Sequence, residues 1–164
     1  MPPPKGSYNP LEGPGDYTTT KEVHSDTYPA IDPTKADLSG QAVFISGASR
    51  GLGKAIALSY AKAGASHIAI GARRGLDEVE KDIKAAATST GRKEPQILPL
   101  SLEVTDPQSV NDAATTIERE FGKLDIVINN AGLIGDMQPI TKSDPDSWWQ
   151  VCKMNSFGLR FRCV

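Results

Sequence analysis

Cysteine is almost absent: Cys152 and Cys163 are the only two in 164 residues. Two thiols near one end cannot form the framework of a small secreted domain, and a reducing compartment, the cytoplasm, is the simpler expectation. Histidine is as scarce. His24 and His67 lie far from both cysteines, so no metal-ligand spacing exists and no bound metal is expected. Neither sign of charge dominates, since 18 Lys and Arg stand against 20 Asp and Glu, for a net −2. That balance argues against nucleic acid or an anionic membrane as a partner. No apolar run approaches the roughly 20 residues of a membrane span, and the opening "MPPPKGSYNP" lacks the apolar core of a signal peptide. What is present is ordinary for a soluble globular protein of about one domain, with 38% apolar and 23% charged residues.

Seven of the twelve prolines fall in the first 38 residues. Residues 1–38 are rich in Pro, Gly, Thr and Asp, with few clustered apolar side chains. Such a stretch buries too little surface to offset its ordering entropy, so it is expected to be a disordered or loosely packed extension. Tyr28, Pro29 and Ile31 could alternatively pack as an arm. From residue 39 the texture changes to that of a domain. "QAVFIS" ends at Gly47 and predicts a buried strand. Leu52, Ile56, Ala57, Tyr60 and Ala61 then recur at helical spacing, and Gly64 follows as a C-terminal stop. "HIAIGA" predicts a second strand, and residues 75–90 a helix with Leu76, Val79, Ile83 and Ala86 on one face. "QILPLSL" predicts a third strand, which Pro99 pushes towards an edge. Asp106–Pro107 and Asp144–Pro145 are two cap-then-proline helix starts. The first helix runs through Val110, Ala114, Ile117 and Phe121 to Gly122. The second runs through Trp148, Trp149, Val151, Cys152 and Asn155. Between them "LDIVINNAG" predicts a fourth strand meeting a turn. Strict alternation of this kind predicts an α/β fold, a parallel sheet with helices on both faces.

The segment that carries chemistry is "ISGASRGLGKA". A glycine turn between a strand and a helix aims backbone N–H groups and the helix dipole at one point, which suits an anion. A nucleoside-triphosphate P-loop would need glycine at position 48 and a hydroxyl at 55; both positions are alanine. A dinucleotide site remains, beside the plain reading of a turn that binds nothing, and the G-x-x-x-G-x-G spacing differs from the general G-x-G-x-x-G fingerprint. Gly47, Gly51 and Gly53 supply the tight turn and the close backbone approach to pyrophosphate. The second strand ends in "ARR". Arg73 and Arg74 therefore stand about twenty residues past the glycines, where a carboxylate would select an unphosphorylated ribose. A guanidinium matches a 2′-phosphate instead, and Arg50 could form the other jaw.

"SGASRGLG" followed by "NNAG" resembles the short-chain dehydrogenase/reductase family, whose signature is T-G-x-x-x-G-x-G after the first strand and N-N-A-G after the fourth. Ser46 stands where threonine is usual. The resemblance covers residues 40 to about 156 and implies a Rossmann-type sheet, truncated here after about the fourth strand and fifth helix. It implies cofactor contacts from Ser46, Gly47, Ser49, Arg50, Gly51, Leu52, Gly53, Arg73, Arg74, Glu103, Val104, Asn130, Ala131 and Gly132. Glu103 and Val104 resemble the D-V pair that holds adenine, with Glu for Asp. The cofactor implied is NADP(H) by preference, with NAD(H) second. The implied reaction is hydride transfer with a small carbonyl or alcohol substrate, and a homo-oligomer is implied if the full domain is present.

Asn155 matches the asparagine that helps carry the family's proton relay. The serine and the Y-x-x-x-K pair that complete that set are expected later than this asparagine, and the chain ends at Val164. Tyr17 and Lys21 match Y-x-x-x-K by letter only, in the front extension; four positions after Tyr60 stands Gly64 rather than lysine. The tail "NSFGLRFRCV" departs from the family's apolar helix and has the look of a truncated or mis-joined reading frame. The expectation is therefore a cofactor-binding half without turnover of its own, marginal in stability, with its fourth strand an open edge. Two alternatives stand beside it: a non-catalytic NADP-binding module that pairs through the helix bearing Trp148 and Trp149, and a fragment without function.

Overall fold

A computed structural model describes residues 27–136 and 138–157. Tyr17, Lys21 and His24, like the tail from residue 158 with Cys163, lie outside the described residues. The chain divides at Asp32/Pro33 into two units. Of the first, only residues 27–32 are described; there the Ile31 N–H donates to the Tyr28 carbonyl at 3.0 Å.

The predicted apolar runs form a parallel sheet. Strands β1 (Ala42–Ser46), β2 (His67–Ala72), β3 (Gln96–Ser101) and β4 (Ile126–Ile128) lie in the order β3-β2-β1-β4. Helices α1 (Gly51–Lys62), α2 (Asp77–Ser89), α3 (Pro107–Phe121) and α4 (Pro145–Cys152) alternate with them. The helix that the resemblance counts as the fifth is α4 with the π-helical turn that follows it.

Strand β1 is buried at all five positions, as a central parallel strand covered on both faces must be. Its alternating side chains divide the core. Val43 and Ile45 pack with Ile68, Ile70, Ala57, Ala61, Val79 and Ile83 under α1 and α2. Phe44 packs with Ala69, Leu100, Val110 and Ile117 under α3. The face expected on α2 is the buried one. On α1 the buried stripe is Gly53, Ala57 and Ala61, while Leu52 is 71% exposed. The spacing is helical, but Leu52 stands on the exposed side of the first turn, one residue before the buried Gly53. Pro99 lies on an outer strand, where its missing N–H costs no central ladder bond.

The helix signals hold in detail. Asp106 accepts the Gln108 N–H, and Asp144 accepts the Ser147 N–H at 2.8 Å, each one residue before the proline that opens its helix. Gly122 and Gly64 take positive φ just past α3 and α1. One helix ends differently from expectation. The α-helical pattern of α4 stops at Cys152, and Lys153–Phe157 form a π-helical turn that carries Asn155. Single π turns of this kind recur at functional sites. None of the residues of α4 is buried; Trp148 and Trp149 are 54% and 46% exposed. No helix among the described residues is long and apolar enough to cross a membrane.

Strand β4 is short, and its pairing is extended by a side chain. The Asp125 N–H donates to the Ala42 carbonyl at 3.0 Å, and the Asp125 carboxylate accepts the Ala42 N–H at 2.7 Å. The Lys123 ammonium, 2.9 Å away, and then that N–H hold the Asp125 carboxyl below the ordinary carboxylate range. A carboxyl depressed in the folded chain stabilises it fully above its unfolded value of about 3.9, and that share is lost as pH falls through the lower, folded value. Thermal melts between about pH 6 and pH 3 should therefore show a fall in Tm below about pH 4. Asp125→Asn should flatten part of that fall; an identical pH dependence in the variant would exclude the role.

Candidate functional site

The chain leaves β1 towards β2 and β3 on one side and returns through β4 on the other. The C-terminal ends of β1 and β4 are thus the switch point of the sheet, where open α/β sheets form their crevice. A cleft of about 860 Å³ opens there.

Its floor is a network between two loops far apart in sequence. Ser46, 1% exposed, closes β1. Its hydroxyl accepts the N–H of Asn130 at 3.0 Å and of Ala131 at 3.1 Å, and reaches the Ile128 carbonyl at 3.4 Å. Asn130 answers with its amide, donating to the carbonyls of Ser46 at 3.0 Å and Gly47 at 3.2 Å. The glycines follow from this closeness. A Cβ on Gly47 would lie 2.7 Å from Ala131 Cα, and one on Gly53 would overlap the Gly47 carbonyl oxygen and lie 2.5 Å from Asn130 Nδ2. Gly51 is different. It has φ +58°, and a Cβ there would meet nothing within 4 Å, so it faces open space.

Helix α1 points its N-terminus at that space, and no side chain caps it. Arg50, at the N-cap, is extended and makes no capping bond, and the first turn holds no acidic residue. The other helices are served locally: α3 and α4 by aspartate caps, α2 by Asp77, Glu78 and Glu80 in its first turn. The backbone donors of α1 and its positive dipole end are left for an anion.

The structure brings the sequence-predicted residues together around this cleft, with one exception. Gly47, Ser49, Arg50, Gly51, Leu52 and Gly53 line one wall, Arg73 and Arg74 the exit of β2, and Glu103 and Val104 the exit of β3. Asn130, Ala131, Gly132 and Asn155 line the far end. Ser46 is the exception: it lies beneath the floor with its oxygen committed to the 130 turn, so it shapes the cleft without facing it. Asn155 is also committed. Its Oδ1 accepts the Leu133 N–H at 3.0 Å and its Nδ2 donates to the Leu133 carbonyl at 2.8 Å, which pins the loop after Gly132 to the π turn. Arg73 stands 3.9 Å from the Glu103 carboxylate, a pairing that spacing along the chain does not reveal. Sequence reasoning also misses Leu133, Ile134 and Met154, which line the Asn155 end. Their only signal is adjacency to "NNAG" and to Asn155. Among the described residues, no group of three or more His, Cys, Asp and Glu is placed to hold a metal.

Residues 41–164 match the family model described as short chain dehydrogenase. The chain is 58% identical over 158 residues to short chain dehydrogenase pigC of Monascus ruber, covering 96% of this chain and 52% of that protein. It is 49% identical over 158 residues to short chain dehydrogenase tazN of Aspergillus terreus, covering 96% of this chain and 34% of that protein. It thus spans about half the length, or less, of these curated relatives. Among solved structures, a metagenomic short-chain oxidoreductase in complex with NADP superposes with a TM-score of 0.64 at 28% identity, over 74% of this chain and 52% of that one.

Proposed function

We propose, starting from the fact that the chain belongs to the short-chain dehydrogenase family, that the cleft at the β1–β4 switch point binds a nicotinamide dinucleotide, NADP(H) before NAD(H). On this reading the chain supplies the cofactor-holding part of an oxidoreductase for a carbonyl or alcohol substrate. The observation that carries the reading is the uncapped N-terminus of α1. Its first-turn donors face an open cleft, and Gly47 and Gly53 let the backbone close tightly around it.

The residues present fit such a ligand by their chemistry. The N–H groups and dipole of α1 suit the pyrophosphate. Arg50, Arg73 and Arg74 all line the cleft and are exposed, and no carboxylate ends β2, so a 2′-phosphate meets guanidinium groups at the exit of that strand. Leu52 and Ile134, 71% and 85% exposed, offer apolar surface to a flat ring. The bound nicotinamide would supply the hydride chemistry, and the protein's part is to bind and orient. Of the proton-transfer set, only Asn155 is among these residues, and its visible work is to position the Leu133 loop at the Asn155 end of the cleft. The substrate and the turnover of the whole protein belong to the same proposal.

Calorimetric titration of the 164-residue chain tests it. NADPH should bind at least about tenfold more tightly than NADH, the size of one charge-assisted contact of roughly 1.4 kcal/mol. Arg50→Ala combined with Arg73→Ala should remove that difference while leaving NADH affinity within about twofold. Equal affinities for the two cofactors in the unmodified chain would exclude the 2′-phosphate preference. Absence of binding by either would exclude the dinucleotide reading.

A further inference from the structure

We propose that Glu103 tunes the preference for a 2′-phosphate by holding Arg73 as a competing anion. The inference rests on the dinucleotide reading above and deepens it. Strands β2 and β3 stay paired one step past their ends, where the Leu102 N–H donates to the Ala72 carbonyl at 3.0 Å. That places Arg73 and Glu103 at neighbouring exits on the cleft rim.

The two partners differ in how firmly they are held. The Glu103 N–H donates to Ser109 Oγ at 3.0 Å. Its Oε1 accepts the Thr105 N–H at 3.1 Å and the Thr105 hydroxyl at 2.7 Å. The first bond holds the Glu103 backbone, and the two from Thr105 hold the carboxylate and leave Oε2 facing Arg73 Nη1 at 3.9 Å. The Arg73 side chain is 73% exposed, so the long guanidinium arm can turn away while the carboxylate cannot. A phosphate dianion entering beside Arg73 must take it from Glu103 and then sit near a fixed negative charge. Exposed pairs are weak, and their reach is screened within about 8 Å at physiological salt. The competition is therefore worth a few-fold in affinity, which is a tuning effect and not a switch.

This role opposes the one that the family resemblance gives Glu103. A residue that holds adenine would, when altered, weaken every adenine nucleotide alike. A residue that competes for Arg73 would, when neutralised, strengthen only the 2′-phosphorylated ones. Glu103→Gln keeps an oxygen for Thr105 and removes the charge.

The experiment titrates 2′,5′-ADP and 5′-AMP into the 164-residue chain, its Glu103→Gln variant, Arg73→Ala, and the double variant. The expected result is that Glu103→Gln raises the ratio of 2′,5′-ADP to 5′-AMP affinity by about three- to fivefold. In the Arg73→Ala background the same substitution should leave the ratio unchanged. A ratio that stays constant or falls in Glu103→Gln overturns the inference, and so does an equal rise without Arg73. If neither probe binds the unmodified chain, the dinucleotide reading itself is lost and this inference with it.

Discussion

Ser46→Ala should destabilise the folded chain by about 2–4 kcal/mol. The side chain is small and its loss opens little space, so a packing argument alone would predict a mild effect. The hydrogen-bond argument predicts otherwise. One oxygen takes the N–H groups of both Asn130 and Ala131, at the point where β4 turns into the cleft loop. The site is 1% exposed, so water cannot readily replace that oxygen. Leaving a buried donor unsatisfied costs roughly 1–3 kcal/mol, and here two part-buried donors lose the one buried oxygen they share.

The cost should also spread. The Asn130 amide is held towards the Ser46 and Gly47 carbonyls by the same turn, so the return bonds at 3.0 and 3.2 Å loosen when the hydroxyl goes. Such networks are worth more than their separate members. Urea unfolding followed by tryptophan fluorescence measures the loss. Ser46→Thr keeps the oxygen and adds one methyl group, so it should lose clearly less than Ser46→Ala. If alanine and threonine behave alike, the hydroxyl is not what holds the two loops.

Why this network escapes the sequence shows where reading a chain works. The cap-then-proline pairs at Asp106 and Asp144, the glycine stops at 64 and 122, and the edge position of Pro99 are local: each is a property of a few consecutive residues, and each is legible. So is the wall of the cleft, because the turn after β1 and the exit of β2 are read from glycines and arginines within one βαβ unit. Ser46 stands out as a ligand contact because it sits in the motif, yet its partner lies 84 residues away and turns it into a support. The Arg73–Glu103 pair has the same origin: it exists because β2 and β3 are neighbours in register, which periodicity does not encode. The π turn at Asn155 reads as plain helix because the apolar spacing carries through it. What distinguishes it is the reciprocal bonding of Asn155 to Leu133, across 22 residues.

Gly53→Ala should cost the chain about a hundredfold in NADPH affinity, or roughly 2.7 kcal/mol. The added methyl would overlap the Gly47 carbonyl oxygen and lie 2.5 Å from Asn130 Nδ2 and 2.9 Å from the Gly47 carbonyl carbon. None of these can step aside cheaply. Gly47 is itself wedged against Ala131, and the Asn130 amide is bonded to two carbonyls. The first turn of α1 must therefore move away from the β1 turn. Its uncapped N–H groups move with it, and a displacement of about 1 Å is enough to lose two orders of magnitude in a site that depends on aim. Stability should fall less than affinity, because overpacking of roughly 1–3 kcal/mol is partly offset by the better helix propensity of alanine, about 1 kcal/mol. Gly51→Ala supplies the contrast. Its Cβ meets nothing within 4 Å, so no loop is pushed, but φ +58° strains any other residue. That strain of about 1–2 kcal/mol should appear in unfolding of the free chain. Matched calorimetry and urea unfolding on the two variants separate a displaced helix from a strained backbone. Wild-type affinity in Gly53→Ala would mean that the first turn of α1 is not where the dinucleotide binds.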